Sequence, residues 1–435
     1  VTTVMGAALR RIQLGNALAA FGNGFTVPFL FVYVAKVRDL GDGTAGAVLA
    51  AFAAAALAVL PFTGRVIDRR GPMVMVVAGA VSAALGALSF GLSTTAPAAL
   101  ASSALMGGGI AVLQPALATL IVWCSTRATR SRAFATQFFL NNLGLGVGGL
   151  IGGFLVDEHR PASFTVLFII EATMFMVLLA VLVTVRVARP AAETPSPGAA
   201  DGGPEEHQGW RVLLGDRSMV LLCVLGFVLF FACYGQFESG LSAYAVEVTR
   251  ISTSTLGVAL AANTAVIVLA QFVVLRFVER KRRSRVVAAV GLIWTVAWLA
   301  AGASGLVHGS QAVATALLIS TYALFGVGET MLSPTVAPLV ADLAPARYVG
   351  QYNSAFALVK QLALAVGPAV GGLMAAAGAY GLYIGMLVVC SLAISVLAGA
   401  LGRRLSAVQD RPSLVVARGG PQAAEPESST VTAAA

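Results

Sequence analysis

Charge is what this sequence has least of. Asp, Glu, Lys and Arg make up 11% of its 435 residues, against 58% hydrophobic residues and a mean hydropathy of +0.87. A soluble globular chain carries about a quarter charged residues, so a water-facing surface of that kind is excluded. Lysine is scarcer still: only Lys36, Lys281 and Lys360 among 28 basic residues. With the abundance of Ala, Gly and Val, this points to a high-GC bacterial gene. The four cysteines (Cys124, Cys223, Cys233, Cys390) fall in or beside apolar runs and have neither disulfide-framework nor metal-ligand spacing. The three histidines (His159, His207, His308) are scattered over predicted loops. A membrane enzyme or scaffold would need a clustered His/Asp/Cys site or a sizeable soluble domain, so no enzyme is expected. There is no GxxxxGK[ST] run, which excludes a P-loop for ATP. The net charge of +9 does not indicate nucleic acid, because the basic residues lie in short clusters between apolar stretches.

What the sequence has instead is long apolar runs. A membrane helix needs roughly 17–25 mainly apolar residues. Twelve stretches qualify: Ile12–Ala35, Thr44–Phe62, Met73–Leu92, Ala98–Trp123, Ala133–Leu155, Phe164–Val185, Met219–Tyr244, Thr255–Leu275, Val286–Leu306, Ala312–Val340, Tyr352–Ala377 and Tyr380–Leu401. The first follows Arg10 and Arg11 but is too long for a signal peptide, and is expected to remain as an anchor. Placing both termini inside puts 23 of the 28 basic residues in cytoplasmic segments, four outside, and Lys360 within a span. That asymmetry predicts the orientation of a multi-pass protein of the cell membrane.

The spans divide into an N-terminal six-helix half over 1–188 and a C-terminal half over 218–404. Between them runs a cytoplasmic linker, 189–217, rich in Pro, Gly, Ala and acids; a disordered tail is expected over 405–435. The halves read as copies. At an offset of 211, Arg65, Asp68 and Arg69 match Arg276, Glu279 and Arg280, and Gly15 matches Gly226. At an offset of 219, Gly107, Gly109, Leu113 and Pro115 match Gly326, Gly328, Leu332 and Pro334, and Gly148, Gly152 and Gly153 match Gly367, Gly371 and Gly372.

Duplicated six-helix halves, together with the loop GRVIDRRG, resemble the major facilitator superfamily. Gly64, Asp68, Arg69 and Gly71 fit its GxxxDRxG motif, although Pro72 and Met73 replace the usual basic pair. The resemblance implies an all-α integral membrane fold of two pseudo-symmetric six-helix halves around a central cavity. It implies that these four residues form a conformational latch, with Asp68 near the start of helix 11 and Arg69 paired with an acid on a neighbouring helix end. GLGVGGLIGG, through Gly144, Gly148, Gly152 and Gly153, resembles the helix 5 motif of antiporters, with Gly149 in place of its proline. The second copy, Gly367, Pro368, Gly371 and Gly372, keeps the proline. Small residues at this spacing are equally consistent with tight helix packing. The helix 4 arginine of many proton-coupled drug exporters is replaced by Ser103, so coupling through that position is excluded.

The family fold places helices 1, 4, 7 and 10 along the substrate path. Helical spacing then puts Tyr322, Gly326, Glu329 and Ser333 on one face of helix 10, and Phe227, Phe231, Tyr234 and Glu238 on one face of helix 7. Asn16 and Asn23 share a face of helix 1, and Gln114 lies on helix 4. Charge in the bilayer interior costs about 2.5–3.5 kcal/mol on insertion scales and marks working residues. Four such residues occur: Glu171, Glu238, Glu329 and Lys360. Glu329, near a membrane midpoint, is the expected proton-coupling site, with Glu238 second. Glu171, on helix 6, is expected to be structural. Lys360 is open to three roles: pairing with a cavity carboxylate, contacting an anionic substrate, or snorkelling to the interface.

The expectation is a monomeric secondary transporter with no bound cofactor, driven by the proton gradient and working by alternating access. Its expected partners are small-molecule substrate, protons and lipid. Export of lipophilic drug- or antibiotic-like compounds in exchange for protons is preferred. Uptake or facilitated diffusion of a sugar, amino acid or organic acid is the rival, kept alive by the many polar amides and the missing helix 4 arginine.

Overall fold

A computed structural model describes residues 6–157, 160–185, 187, 208–237, 239–307 and 309–411. Glu238, the three histidines, most of the linker and the tail beyond 411 lie outside the described residues. Twelve helices are long and apolar enough to cross a membrane: α1 Ala7–Val37, α2 Asp42–Arg70, α3 Pro72–Leu92, α4 Ala96–Trp123, α5 Arg130–Leu155, α6 Pro161–Val183, α7 Arg217–Glu247, α8 Ser254–Val278, α9 Arg283–Leu306, α10 Gln311–Leu343, α11 Ala346–Ala376 and α12 Tyr380–Gly402. Every predicted span has its counterpart. Large apolar side chains point outward all around the bundle, for instance Phe154, Leu269, Phe277 and Leu373. Only a hydrocarbon solvent makes that surface favourable.

Among the described residues each half has a main hydrophobic core. Tyr33, Phe90, Phe164 and Phe168 stack at the centre of the first, with ring centroids 5.1–5.8 Å apart. Trp294, Trp298, Tyr322 and Phe325 fill the second. Within each half the equivalent helices pack alike, α1 on α5 and α7 on α11, through the repeated glycines. A Cβ on Gly144 would come within 2.6 Å of the Ala17 carbonyl oxygen, and one on Gly148 would overlap that of Phe21. A Cβ on Gly367 would reach Gly235 Cα at 2.7 Å, and one on Gly371 the Gly240 nitrogen at 2.9 Å. Gly152 meets Phe25 and Phe29.

Two expected packing glycines are exceptions. Nothing lies within 4 Å of a Cβ on Gly372, and only the Phe29 ring, at 4.0 Å, near one on Gly153. The helix rotation that buries the first glycine of each GG pair turns its neighbour outward. Pro368 is likewise exposed, inside α11. Gly148→Ala and Gly367→Ala should therefore destabilise by about 1–3 kcal/mol, the usual cost of overpacking. Gly153→Ala and Gly372→Ala should leave thermal melting in detergent unchanged; equal shifts for all four would refute the assignment.

Three spans are interrupted. α1 passes through a 3₁₀ turn at Val27–Phe29, where Pro28 lacks an N–H to continue the ladder. α7 breaks after Ala232, and α10 breaks after Leu332 at Pro334. The end of the bundle that carries the basic loops is also more ordered than expected. Linker residues Gln208–Gly215 form a short helix whose Gly209 lies against Gln351. Of the expected disordered tail, Ala407–Asp410 form a helical turn with a capping box from Ser406 and Gln409. Asp410 is buried there and accepts from Ser284 N–H and Oγ at 2.8 and 3.0 Å.

Candidate functional site

The two halves are joined at this basic end, and the motif loop after α2 supplies part of the joint. Asp68 Oδ1 accepts from Gly350 N–H at 2.7 Å and Oδ2 from Gln351 N–H at 3.0 Å. Those are the second and third residues of the α-helix Val349–Ala376, whose first-turn amides have no partner within the helix. Asp68 thus caps a helix of the opposite half, with the helix dipole favouring its charge. Gly64 allows the approach, since a Cβ there would lie 2.6 Å from Gln351 Cα. Ser354 donates to the Leu60 carbonyl at 2.6 Å beside it. Gly71 ends α2 with φ 88° and ψ 158°, a conformation open essentially to glycine alone.

Arg69 departs from expectation. It is exposed and makes no ion pair among the described residues. The ion pairs across the joint come from residues not singled out from sequence. Arg130 of α5 bonds Asp342 of α10, and Asp342 also accepts from Arg283 Nη1 at 2.7 Å. All three are buried, with side chains 10%, 2% and 3% exposed. Arg132 and Glu279 approach to 3.9 Å nearby. Farther along, α5 and α8 touch through Phe139 and Phe272, ring centroids 5.0 Å apart, and through Gly146 and Thr264.

Above this joint lies a cavity of about 420 Å³ between the halves, a size suited to a drug-like ligand. Asn16, Gln114, Tyr234, Glu329 and Lys360 line it. Glu329 is 3% exposed, and its Oε1 accepts from Asn263 Nδ2 of α8 at 2.7 Å. Tyr234 is a polar neighbour of the same carboxylate, brought there by the break in α7. The Lys360 ammonium lies 5.3 Å from the centroid of the Phe230 ring, and Glu329 is its electrostatic partner. Its head thus lies at the cavity wall in this structure. Asn16 donates to Asn141 across the α1–α5 contact.

Four other expected lining residues lie elsewhere. On α7 the face turned to the cavity runs through Phe230 and Tyr234, four residues apart, rather than through Phe227 and Phe231. Those two stack on each other instead, ring centroids 6.0 Å apart, and Phe231 is buried. Tyr322 sits two turns from Glu329 on the same stripe, but its ring is buried against Phe237 and its hydroxyl donates to the Phe237 carbonyl at 3.4 Å. Asn23 is half-buried beyond the cavity. Sequence reading missed Gln137, which lines the cavity and whose Oε1 has no hydrogen-bond partner among the described residues. Its position four residues before Asn141, on one helical face, was the available signal. Glu171 is buried on α6, its oxygens without a donor in bonding geometry and the Thr26 hydroxyl as polar neighbour.

The family model of the Major Facilitator Superfamily matches residues 12–368 and, in a second alignment, 249–423. The chain belongs to the major facilitator superfamily. As a superfamily transporter it aligns over 371 residues, at 22% identity, with the uncharacterized MFS-type transporter YqjV of Bacillus subtilis, covering 83% of this chain and 85% of that one. Multidrug resistance protein 2 of Bacillus subtilis is 34% identical over 151 residues, 33% of this chain and 37% of that protein's length. Quinolone resistance protein NorA of Staphylococcus aureus is 23% identical over 227 residues, 51% of this chain and 56% of NorA. Among solved structures, the superfamily transporter FucP in its outward conformation superposes with a TM-score of 0.73 at 16% identity, covering 91% of this chain and 98% of FucP. A bacterial homologue of the iron transporter ferroportin in an outward-facing state gives 0.72 at 16% identity, covering 92% and 99%. At these identities the superpositions speak for the fold alone.

Proposed function

We propose that this transporter exports apolar, drug-like small molecules from the cytoplasm in exchange for protons. The observation that carries the reading is Glu329, a carboxylate in a mostly apolar, aromatic cavity between the halves. A proton and a substrate ammonium compete for such a group, and that competition is what antiport requires. The short alignments with the Bacillus multidrug resistance protein and NorA support the drug class. In this reading the basic end faces the cytoplasm, following the positive-inside bias. The joint of Asp68, Arg130 and Asp342 then holds the cytoplasmic side shut, and alternating access consists of breaking it. The protein works as a monomer in the cell membrane, with no cofactor beyond the proton gradient.

Uptake or diffusion of a polar metabolite is favoured by one observation, the amides Asn16, Gln114, Gln137 and Asn141 on the cavity wall. Everted membrane vesicles with an acid interior separate the two. Adding permanently charged lipophilic cations (quaternary ammonium compounds) outside should collapse the pH gradient in vesicles carrying the native chain and not in control vesicles. Silence towards every such compound, with accumulation of a sugar or amino acid, would replace the proposal by the rival.

A further inference from the structure

The cavity holds two opposite charges on different helices, and this limits what it accepts. Among the described residues that line it, Glu329 on α10 is the one acid and Lys360 on α11 the one base. Each has a partner on the wall: Glu329 accepts from Asn263, and Lys360 lies over the Phe230 ring. Lys360 lies fourteen residues into the 31-residue span Ala346–Ala376. The wall around them is aromatic, with Phe52, Phe138, Phe230 and Phe356 contributing.

A guest carrying only a cation would pair with Glu329 and leave Lys360 facing a like charge. A guest carrying only an anion would pair with Lys360 and set its charge against Glu329. An isolated buried charge is costly, and repulsive placement discriminates between ligands. We infer that the preferred substrate is an aryl zwitterion, its ammonium on Glu329 and its acid group on Lys360. The aromatic body would lie against Phe230 and Phe356. Lys360 is thus a specificity-determining residue. The inference rests on the export reading for the direction of transport but not for the binding itself.

The test measures binding to the purified full-length protein in lipid nanodiscs, followed by probe fluorescence. Three naphthalene probes are used, one bearing an aminoethyl group, one a carboxymethyl group and one both. The native chain should bind the doubly substituted probe about tenfold more tightly than either other. Lys360→Met should remove that advantage and leave the amine probe bound as well as before or better. Lys360→Arg, which keeps the charge, should retain the preference. An amine probe that binds the native chain as tightly as the zwitterion overturns the inference. So does a Lys360→Met variant that weakens all three probes equally, since the lysine would then only pack. Because no proton movement is read, zwitterion preference in a protein silent in the vesicle assay would sink the export reading and leave this inference standing.

Discussion

Asp342→Asn should open the basic end of the transporter. Asp342 is the shared partner of two buried guanidiniums, Arg130 from the other half and Arg283 from its own. Arg127, 4.0 Å away and 58% exposed, adds little. Removing one partner of a buried ion pair costs about 3–5 kcal/mol, because the remaining charge is left uncompensated. Here two like charges would be left together. Arg283 keeps a bond to the Gln409 carbonyl at 3.1 Å. Arg130 can escape to water only if the halves part, so the cost falls on the closed arrangement. At 1.4 kcal/mol per tenfold, the equilibrium should move by about a hundredfold or more towards opening. Spin labels at the exposed positions Arg70 and Arg285, one on each half, would show it as a lengthened distance. Arg130→Met combined with Asp342→Asn should bring the distance part of the way back, since one stranded charge is gone. A distance distribution unchanged from the native chain would refute the role of Asp342.

Glu329→Gln should abolish substrate-driven proton movement and little else. Glutamine has nearly the shape of glutamate, and its side-chain oxygen can still accept from Asn263. What it loses is the ability to take up and release a proton. In the vesicle assay the response to quaternary lipophilic cations should fall more than tenfold, to the level of control vesicles, on the assumption that this carboxylate carries the coupling. Expression and melting temperature should remain near native values. Glu329→Asp, one methylene shorter, should keep part of the response. Full proton movement in Glu329→Gln would leave antiport intact but shift the proton site, with Glu238 the next candidate.

The membrane architecture was legible because it depends on composition and period. The predicted span Tyr380–Leu401 is observed as Tyr380–Gly402, and Ala98–Trp123 as Ala96–Trp123. Helices in a bilayer must satisfy their own backbone, so apolar run length alone sets them. Asp68 was legible too, because its motif places a lone acid among basic residues where a merely basic loop needs none. Glu329 stood out for the same reason, as a charge in a run that otherwise avoids it.

Rotation about a helix axis was not legible to the same accuracy. Phe227, Phe230 and Phe231 all lie on the same side of α7 within one turn, and only the packing of α7 against α11 decides which faces the cavity. The same holds for the second glycine of each GG pair, outward-turned at Gly153 and Gly372. Arg130 and Asp342 are separated by 212 residues, and nothing local to either announces the other. Sequence by itself determined the twelve helices, their duplication, the family motif and the presence of intramembrane charge, since each is written in composition, spacing or local exception. Tertiary structure decided which charges meet, which aromatics line the cavity and what holds the halves together, because those follow from how separate helices rotate and dock.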